Sequence, residues 1–262
     1  MTQAPHSLTD LSQTLAQAWT EGQVLPAAEW APSVPDSASA YAVQDQLSAR
    51  LGWASGQQAV RFWKSGGASR SSELSHAPLA PAGVRPSPAN FADLSLRAPG
   101  IEAEIALRIG ADISAQEAAQ LSHAQAMQLV DAFAVSAELV SSRWAEAGEA
   151  PALLRQADCL SHGALALGPW QAFDPNQPPD WAALSCWIQR NDEAPLRATG
   201  SHPLGDPTWL LPAWLRHLSR NGASIQAGTV VTTGAWLVLL GLHAGDKLSL
   251  GFNGLGELQI AL

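Results

Sequence analysis

Apolar residues recur at helical spacing in two stretches near the N-terminus. The first covers 7–22, where Ser7 and Asp10 form a capping-box pattern ahead of the apolar positions. The second covers 37–51. The apolar residues that share one face in these stretches are Leu8, Leu11, Leu15 and Ala18, and then Ala40, Val43, Leu47 and Leu51. The pattern predicts two N-terminal helices.

Farther along the chain, the periodicity changes from helical to alternating. The stretch 101–108 alternates apolar residues with two acids, Glu102 and Glu104. Residues two apart in a strand point to the same face, so the two acids share one face and the apolar side chains share the other. The stretch 131–140 also alternates, and it carries a third acid, Glu138. We therefore predict two largely buried strands that present three carboxyl groups.

The rest of the pattern predicts a mixture of helices and strands. A short strand over 59–64 ends at a Ser-Gly-Gly turn, and helices are predicted over about 115–129 and 207–220. Further strands are predicted over 164–172, 182–190, 229–233, 247–252 and 257–262. Helices first, followed by mixed strands and two long helices, are typical of an α+β (mixed α/β) fold with much antiparallel sheet.

Length and composition fit one domain over 1–262. A chain of 262 residues with 47% hydrophobic residues is able to bury a sizeable core. We expect an N-terminal helical region over 1–75, a proline-containing loop or lid over 76–99, and a β-rich core over 100–262.

Charge and cysteine content exclude several classes of protein. A net charge of −9 argues against a nucleic-acid partner, because no basic patch is available to neutralise phosphates. An anionic substrate would need a local positive site, such as a metal ion, Lys64 or Arg143. The two cysteines, Cys159 and Cys186, give neither a disulfide framework nor zinc-ligand spacing, which fits a reducing compartment. The N-terminus has no signal-peptide pattern, and no apolar stretch is long enough to cross a bilayer, so we expect a soluble cytoplasmic protein.

The paired acids of the first strand allow two interpretations. Two neighbouring carboxylates on a buried strand repel each other and lose hydration, and a bound cation removes both penalties. Ligand sets made only of oxygen favour a hard divalent ion, Mg²⁺ or Mn²⁺. The alternative is a strand edge with two solvated acids. The spacing of Glu102 and Glu104 alone does not separate the two interpretations.

A series of short motifs runs in a fixed order through the chain. The motifs are Ala-Tyr-Ala-Val-Gln (40–44), Lys64-Ser65-Gly66, Ile-Glu-Ala-Glu-Ile-Ala (101–106), Ala-Glu-Leu-Val-Ser-Ser-Arg (137–143), and Ala157-Asp158 with Ser161. The C-terminal part continues the order with Gly200–Pro203, Trp214-Leu215, Ala227-Gly228, Thr233-Gly234, Gly245-Asp246 and Gly254–Gly256. Together they resemble the fumarylacetoacetate hydrolase superfamily, and most closely its branch of 2-keto-4-pentenoate hydratases and 4-oxalocrotonate decarboxylases.

The chain departs from that pattern at three places. Gly67, Ala68 and Ser69 follow the Lys-x-Gly turn where the family has a hydrophobic residue and Thr-Ser. Cys159 stands where the family has Asn, and Ala235-Trp236 follows Thr233-Gly234 in place of a serine-type residue. The motif of acids is intact, so the departures concern the substrate more than the class of chemistry.

The resemblance implies a fold and a set of site residues. The expected fold is a mixed β-sheet sandwich or roll with flanking helices. Glu102, Glu104 and Glu138 are expected to bind Mg²⁺ or Mn²⁺, and Lys64 is expected to be the catalytic residue that exchanges protons. Expected substrate-binding residues are Ser69, Arg143, Asp158 and Gly234. For Arg143 a structural ion pair with Asp158 is an equally good interpretation, and Ser69 is alternatively a plain turn residue.

The same resemblance implies a metal-dependent lyase that adds water to a 2-hydroxy-2,4-dienoate and yields a 4-hydroxy-2-oxo acid in aromatic catabolism. The alternatives are a 4-oxalocrotonate-type decarboxylase, a fumarylacetoacetate-hydrolase-like C–C hydrolase and a non-catalytic partner subunit. We expect a homo-oligomer, with hetero-association with a homologous enzyme as a further option. The seven histidines show no metal-ligand spacing, and we expect each to be structural or exposed.

Overall fold

The fold is described by a computed structural model over residues 6–54 and 59–262. The helices are α1 (Leu8–Glu21), α2 (Ala27–Trp30), α3 (Ser37–Arg50), α4 (Ala115–Ala118), α5 (His123–Met127), α6 (Ala152–Ala157) and α7 (Leu211–Leu218). The strands are β1 (Phe62–Gly66), β2 (Ser75–Pro78), β3 (Val84–Pro86), β4 (Ala89–Asn90), β5 (Gly100–Ile109), β6 (Val130–Val140), β7 (His162–Leu167), β8 (Gln171–Ala172), β9 (Ser185–Arg190), β10 (Leu196–Thr199), β11 (Val230–Thr232), β12 (Leu237–Leu239), β13 (Lys247–Phe252) and β14 (Gly256–Ala261). The predicted α+β class is confirmed. None of the described helices combines the length and apolarity that a membrane span requires.

Two sheets share one hydrophobic core. Seven strands of the larger, nine-stranded sheet follow the order β2-β1-β11-β5-β6-β7-β3, with β12 also paired to β5 and β8 to β6. The smaller sheet has the order β10-β9-β13-β14-β4. The main core contains Ile105 and Leu107 from the larger sheet together with Ile188 and Leu250 from the smaller one. Burial between the two sheets therefore fixes which face of β5 points inward.

The N-terminal helices pack as a second cluster beside this core. Helix α1 begins at the predicted capping box, in which Ser7 accepts from the Asp10 N–H and Asp10 accepts from the Ser7 N–H. Asp36 caps the N-terminus of α3, where its side chain accepts a hydrogen bond from the Ser39 N–H. The cluster joins both helices to residues that follow β6, and its buried members include Leu11, Leu15, Val43, Leu47, Trp144, Leu154 and Cys159.

The segment 76–99, expected as a loop or lid, contributes short strands to both sheets. β2 pairs antiparallel with β1, and β3 pairs parallel with β7 in the larger sheet. β4 pairs parallel with β14 in the smaller sheet. The end of the segment, at Arg97 and Ala98, lines the cavity described below.

Two predicted helices are divided. The prediction of a single helix over 115–129 is wrong. Helix α4 ends at Ala118, and a capping box of Ser122 and Gln125 begins α5. The helix predicted over 207–220 begins with a 3-10 turn at Pro207–Leu210, and α7 follows. Pro212 in the first turn of α7 has no N–H to donate, so a continuous helix through it would lose a hydrogen bond.

Candidate active site

Three glutamates meet because β5 and β6 pair in antiparallel register. Glu102 of β5 lies opposite Glu138 of β6, and Glu104 lies opposite Ser136. One carboxylate oxygen from each of the three glutamates lies within 4.8 Å of the others. The two predicted strands therefore bring the three predicted metal ligands together, while their role as ligands stays a prediction.

The three carboxyl groups are held in an unfavourable environment for negative charge. Glu104 and Glu138 are 1% and 0% exposed, and Glu102 is partly buried. Burial, followed by the charges of Glu138 and Glu102, raises the pKa of Glu104 well above its usual range. Burial is also the main cause that raises the pKa of Glu102. The interpretation as a solvated strand edge does not fit this burial.

Glu138 has one oxygen fully engaged and one oxygen unpaired. Its Oε1 accepts from Lys64 Nζ at 2.7 Å and from His162 Nδ1 at 3.0 Å. Its Oε2 is buried and has no hydrogen-bond partner among the described residues. Burial acts to raise the pKa of Glu138, but the charge of Lys64 and the hydrogen bond from His162 outweigh it, and the pKa is lowered. An ionised carboxylate with an unpaired buried oxygen fits the requirements of a cation ligand.

Glu104 is oriented by the strand on its other side. Its Oε2 accepts from the Thr232 hydroxyl and from the Gly234 N–H, the latter at 3.0 Å. Thr232 also contacts the Ser136 hydroxyl at 3.0 Å. Gly234 has a φ of 99°, a conformation that side-chain-bearing residues rarely adopt. The backbone of Gly234, predicted to bind substrate, thus holds a carboxylate of the candidate metal site.

Lys64 reaches the acids from β1. Besides the contact with Glu138, its Nζ donates to the Leu160 carbonyl at 3.2 Å. Burial acts to lower the pKa of Lys64, but the charges of Glu138, Glu102 and Glu104 outweigh burial and raise it. The three carboxylates around the amine therefore favour its charged ammonium form.

The Leu160 carbonyl, which accepts the hydrogen bond from Lys64, belongs to an unusual turn. Cys159, Leu160 and Ser161 have φ values of 48°, 55° and 60°. A non-glycine residue in the left-handed region costs about 1–2 kcal/mol. Three such residues in succession therefore persist only where the surrounding structure enforces the conformation. The turn directs the Leu160 carbonyl to Lys64, and Leu160 and Ser161 also line the cavity.

Arg143 and Asp158 form a buried ion pair. Arg143 Nε donates to Asp158 Oδ1 at 2.5 Å, and the Arg143 N–H donates to Asp158 Oδ2 at 3.0 Å. The guanidinium also donates to the His162 carbonyl at 2.6 Å and lies 4.0 Å from the ring of Trp19. Neither Arg143 nor Asp158 lines the cavity that contains Lys64 and Glu102. These contacts favour the structural interpretation of the pair.

Ser69 lies in a serine-rich turn after β1. Its hydroxyl contacts the Ser71 hydroxyl at 3.0 Å, and its N–H donates to Ser72 Oγ at 3.0 Å. Ser69 does not line the cavity with Lys64 either. Its predicted role in substrate binding stays untested, and its contacts are those of a turn residue.

A cavity of about 680 Å³ opens beside the candidate metal site. Lys64 and Glu102 line it, so the amine and one of the three carboxylates are accessible to a ligand. Its apolar walls are formed by Val24, Val140, Trp144, Leu160 and Leu240. Its volume lies within the range of about 300–1,000 Å³ that is typical of small-molecule sites.

A family model described as fumarylacetoacetate (FAA) hydrolase C-terminal matches residues 57–262, which is most of the chain. The chain belongs to the fumarylacetoacetate hydrolase family. The resemblance inferred from the motifs is thereby confirmed. The matched region contains Lys64 and the three glutamates, whereas α1 and α3 precede it.

Curated relatives within this family are similar to part of the chain. The 2-keto-4-pentenoate hydratase 1 of Dechloromonas aromatica (strain RCB) is 30% identical over 164 residues, which are 62% of this chain and 59% of that protein. The 2-keto-4-pentenoate hydratase of Paraburkholderia xenovorans (strain LB400) is 28% identical over 166 residues, which are 63% of this chain and 59% of that protein. The chain thus spans less than two thirds of the length of these relatives.

Solved structures of the family share the fold. The 4-oxalocrotonate decarboxylase from Pseudomonas putida G7, complexed with magnesium and adipate, superposes with a TM-score of 0.81 at 19% identity over 97% of this chain and 96% of that chain. The fumarylpyruvate hydrolase from Pseudomonas aeruginosa, in complex with Mn²⁺ and pyruvate, gives a TM-score of 0.54 at 17% identity over 77% of this chain and 88% of that chain. The predicted fumarylacetoacetate-hydrolase-like fold is confirmed.

Two residues near the candidate site are not among those predicted from the sequence. His162, expected to be structural or exposed, is fully buried, and its Nδ1 contacts Glu138. Arg155 lines the cavity from α6, but no motif singled it out. The position of His162 directly after Ser161 of a recognised motif was the one available clue, whereas Arg155 reaches the cavity only through the tertiary fold.

Proposed function

We propose that this chain is a divalent-metal-dependent lyase that adds water to a 2-hydroxy-2,4-dienoate and yields a 4-hydroxy-2-oxo acid, in the breakdown of aromatic compounds. The observation that carries the proposal is the buried trio of carboxylates with the unpaired Oε2 of Glu138, next to Lys64 in an open cavity. The names of the curated relatives, 2-keto-4-pentenoate hydratases, support the substrate class.

Glu102, Glu104 and Glu138 would hold one Mg²⁺ or Mn²⁺ through oxygen atoms, the ligand type that both ions prefer. The solved relatives complexed with magnesium and with Mn²⁺ support this choice of metal. When bound, such an ion supplies Lewis-acid polarisation of the carbonyl of a 2-oxo acid. The hydrogen bonds from Thr232 and Gly234 fix the orientation of Glu104, and those from Lys64 and His162 fix Glu138.

Lys64 is the group that handles protons in the proposed reaction. An ammonium group has three N–H donors, and two of them are used by Glu138 and the Leu160 carbonyl. The third is available to a ligand in the cavity that Lys64 lines. In the first step the enol O–H proton is lost and a proton is added at C5, which gives a 2-oxo-3-enoate. Water then adds with its oxygen at C4 and a proton at C3, and Lys64 is placed to deliver or orient these protons.

The apolar walls of the cavity suit the carbon chain of such a substrate. Val140, Trp144 and Leu160 line the same cavity as Lys64 and Glu102. Apolar walls lower the local dielectric constant, which strengthens the electrostatic interaction of the site with an anionic ligand.

The test follows the ultraviolet absorbance of 2-hydroxypenta-2,4-dienoate with purified protein and Mg²⁺ or Mn²⁺. We expect loss of the diene signal with metal and none with EDTA. Glu104→Gln should abolish most of this activity and weaken metal binding, while Glu257→Gln, which changes an exposed strand glutamate away from the site, should behave as the unchanged protein. Full activity and metal affinity in Glu104→Gln would refute the site.

The same assay separates the alternatives. Release of CO₂ from 4-oxalocrotonate without hydration of the dienoate would replace the hydratase by the decarboxylase. Pyruvate-type products from cleavage of a C–C bond would indicate the hydrolase. Binding of metal without turnover of any of these compounds would indicate a partner subunit.

The proposal has three further parts. The protein associates with further copies of itself, forms one domain over 1–262 and is located in the cytoplasm. Exposed large apolar side chains support self-association, and they are Val24, Leu196, Trp209, Val238 and Leu240. The two cysteines are buried and free, as is usual in reducing compartments. Light scattering of the purified protein at several concentrations tests self-association, and a monomeric mass throughout would refute it.

A further inference from the structure

We infer that His202 is a positioning residue of the candidate metal site, and that it acts on Glu104 through a single peptide group. The inference rests on the proposed function, in which Glu104 is one of the metal ligands. His202 does not line the cavity that contains Lys64, and its ring hydrogen bond goes to a backbone carbonyl. Its effect on the site is therefore indirect.

The peptide group between Thr233 and Gly234 connects the imidazole to the carboxylate. Its carbonyl oxygen, that of Thr233, accepts from His202 Nε2 at 2.9 Å. Its N–H, that of Gly234, donates to Glu104 Oε2 at 3.0 Å. The C=O and N–H of a planar trans peptide point in opposite directions, so a donor that fixes the carbonyl also fixes the N–H. His202 thus determines the direction of the N–H that Glu104 accepts.

This peptide group lies where the pairing of β5 with its neighbours is interrupted. β11 pairs with β5 as far as Thr232, and β12 resumes the pairing at Leu237. The intervening residues 233–236 bulge out of the regular ladder, and the φ of 99° at Gly234 allows the backbone to turn there. Because both polar atoms of the peptide group bond to side chains, the sheet itself does not orient it.

His202 is itself held in place by packing. It is 4% exposed, and its ring centroid lies 5.2 Å from that of Trp236. The backbone of Trp236 is fixed on both sides, because its N–H donates to the Ala103 carbonyl at 2.9 Å and its carbonyl accepts from Ser201 Oγ at 2.5 Å. The imidazole therefore rests on a residue that is anchored to the strand that carries Glu104.

The hydrogen bond to Thr233 requires one tautomer of the ring. A carbonyl oxygen only accepts, so Nε2 of His202 carries the proton. The opposite nitrogen, Nδ1, is buried and has no partner among the described residues. Burial is also the main cause that lowers the pKa of His202. These features fit a neutral ring that serves as a fixed donor, and not a group that exchanges protons with a ligand.

The hydrogen bond from His202 also strengthens the next one. A peptide carbonyl that accepts a hydrogen bond polarises the peptide group and makes its N–H a better donor. The bond from the Gly234 N–H to a carboxylate is of the stronger, charge-assisted kind. Loss of a group that orients a metal ligand typically weakens metal binding about 10–100-fold. Since His202 acts through one intervening peptide group, we expect the lower end of that range.

The test compares variants of His202 that keep or lose a donor at the position of Nε2. The amide of His202→Gln is long enough to reach the Thr233 carbonyl, whereas the amide of His202→Asn is one methylene shorter and is not. His202→Phe keeps an aromatic ring against Trp236 but has no donor. Leu215→Ala shortens a buried core leucine on α7 and is the control for a general loss of stability.

Three quantities are measured for the unchanged protein and each variant: the affinity for Mn²⁺ by calorimetry, the EPR line shape of bound Mn²⁺, and the Tm in EDTA. We expect His202→Asn and His202→Phe to bind Mn²⁺ about tenfold more weakly and to alter the line shape. His202→Gln should recover most of both. Leu215→Ala should lower the Tm and leave the affinity and line shape unchanged.

Several results overturn the inference. Unchanged Mn²⁺ affinity and line shape in His202→Asn and His202→Phe would refute the role of His202. An equal loss in Leu215→Ala would attribute the effect to stability alone, and an equal loss in His202→Gln would show that the reach of the donor does not matter. Absence of Mn²⁺ binding by the unchanged protein would instead refute the proposed metal site, and the inference with it.

Discussion

Glu102 lies directly opposite Glu138 in the antiparallel pair of β5 and β6. Like charges in this position destabilise a sheet, and both groups are largely withdrawn from water. Glu104, two residues along the same face of β5, adds a third carboxyl group. The fold therefore concentrates unfavourable interactions at the point where two of its longest strands pair.

We predict that Mg²⁺ or Mn²⁺ stabilises the folded protein. A ligand that binds only the folded state adds about 2.7 kcal/mol when its concentration is 100 times its Kd. Thermal unfolding should therefore occur at a higher Tm with the metal than with EDTA. Glu102→Gln should lose most of the metal response and, because one repelling charge is gone, unfold at a slightly higher Tm in EDTA. An identical Tm with and without metal would contradict the prediction.

We predict that His162 strengthens metal binding through Glu138. The imidazole Nδ1 lies 3.0 Å from Glu138 Oε1 and orients the carboxylate. Loss of a group that orients a metal ligand typically weakens metal binding about 10–100-fold. His162→Phe should show this loss in a metal titration, and His162→Asn, which restores a donor near the position of Nδ1, should recover part of it. Equal affinities in all three proteins would show that the contact does not matter.

Arg143→Met should lower the stability of the fold more than it changes the affinity for substrate. Removing one partner of a buried ion pair leaves the other charge uncompensated and costs about 3–5 kcal/mol. Urea unfolding should show this loss, and the double variant with Asp158→Asn should recover part of it because no unpaired charge remains. A stable Arg143→Met protein with a raised KM would instead support the role in substrate binding.

Stability should fall below neutral pH because of two neighbouring histidines, the buried His76 and the half-buried His217. The rings of His76 and His217 lie 4.7 Å apart, and Tyr41 packs against His217. Burial, with the charge of Arg220, lowers the pKa of His76 to about 4. Burial, with His76 and Arg220, lowers the pKa of His217 to about 2.

The sign of the pH effect follows from the direction of these shifts. Below an unfolded-state pKa of about 6.5, the unfolded chain binds protons that the folded protein does not, so stability is complete above that pH and declines towards pH 4. Each histidine contributes a loss of about 1.4 kcal/mol per pH unit in that window. Denaturant unfolding at pH 7, 6 and 5 measures the slope. His217→Phe should flatten it, whereas His243→Gln, which removes an exposed histidine, should leave it unchanged.

The parts of the site that follow from local pattern were predictable from the sequence. Alternation in β5 and β6 placed Glu102 and Glu104 on one face and identified Glu138 as a third buried acid. Capping residues indicate the start of α1, whereas the capping box at Ser122 and Gln125 divides the region of one predicted helix into α4 and α5.

The contacts made by chain segments distant in sequence were not predictable from it. The hydrogen bond from Lys64 to Leu160 joins residues 96 positions apart, and the one from Thr232 to Glu104 joins residues 128 apart. Both depend on the strand order of the larger sheet, in which β11 lies between β1 and β5. No periodicity along the chain encodes that order. The motifs indicated that Lys64 belongs to the site, and the tertiary fold determines which atoms it contacts.

The left-handed turn Cys159–Ser161 connects the N-terminal helices to the candidate site. Cys159 is packed among the side chains of α1 and α3, which precede the region shared with the family model, while the next residue supplies the carbonyl that receives Lys64. A chain trimmed to the shared region would keep every proposed metal ligand and still lose the packing that enforces this turn. The family module by itself therefore lacks the helices that pack against the turn whose carbonyl accepts from Lys64, the residue proposed to be catalytic.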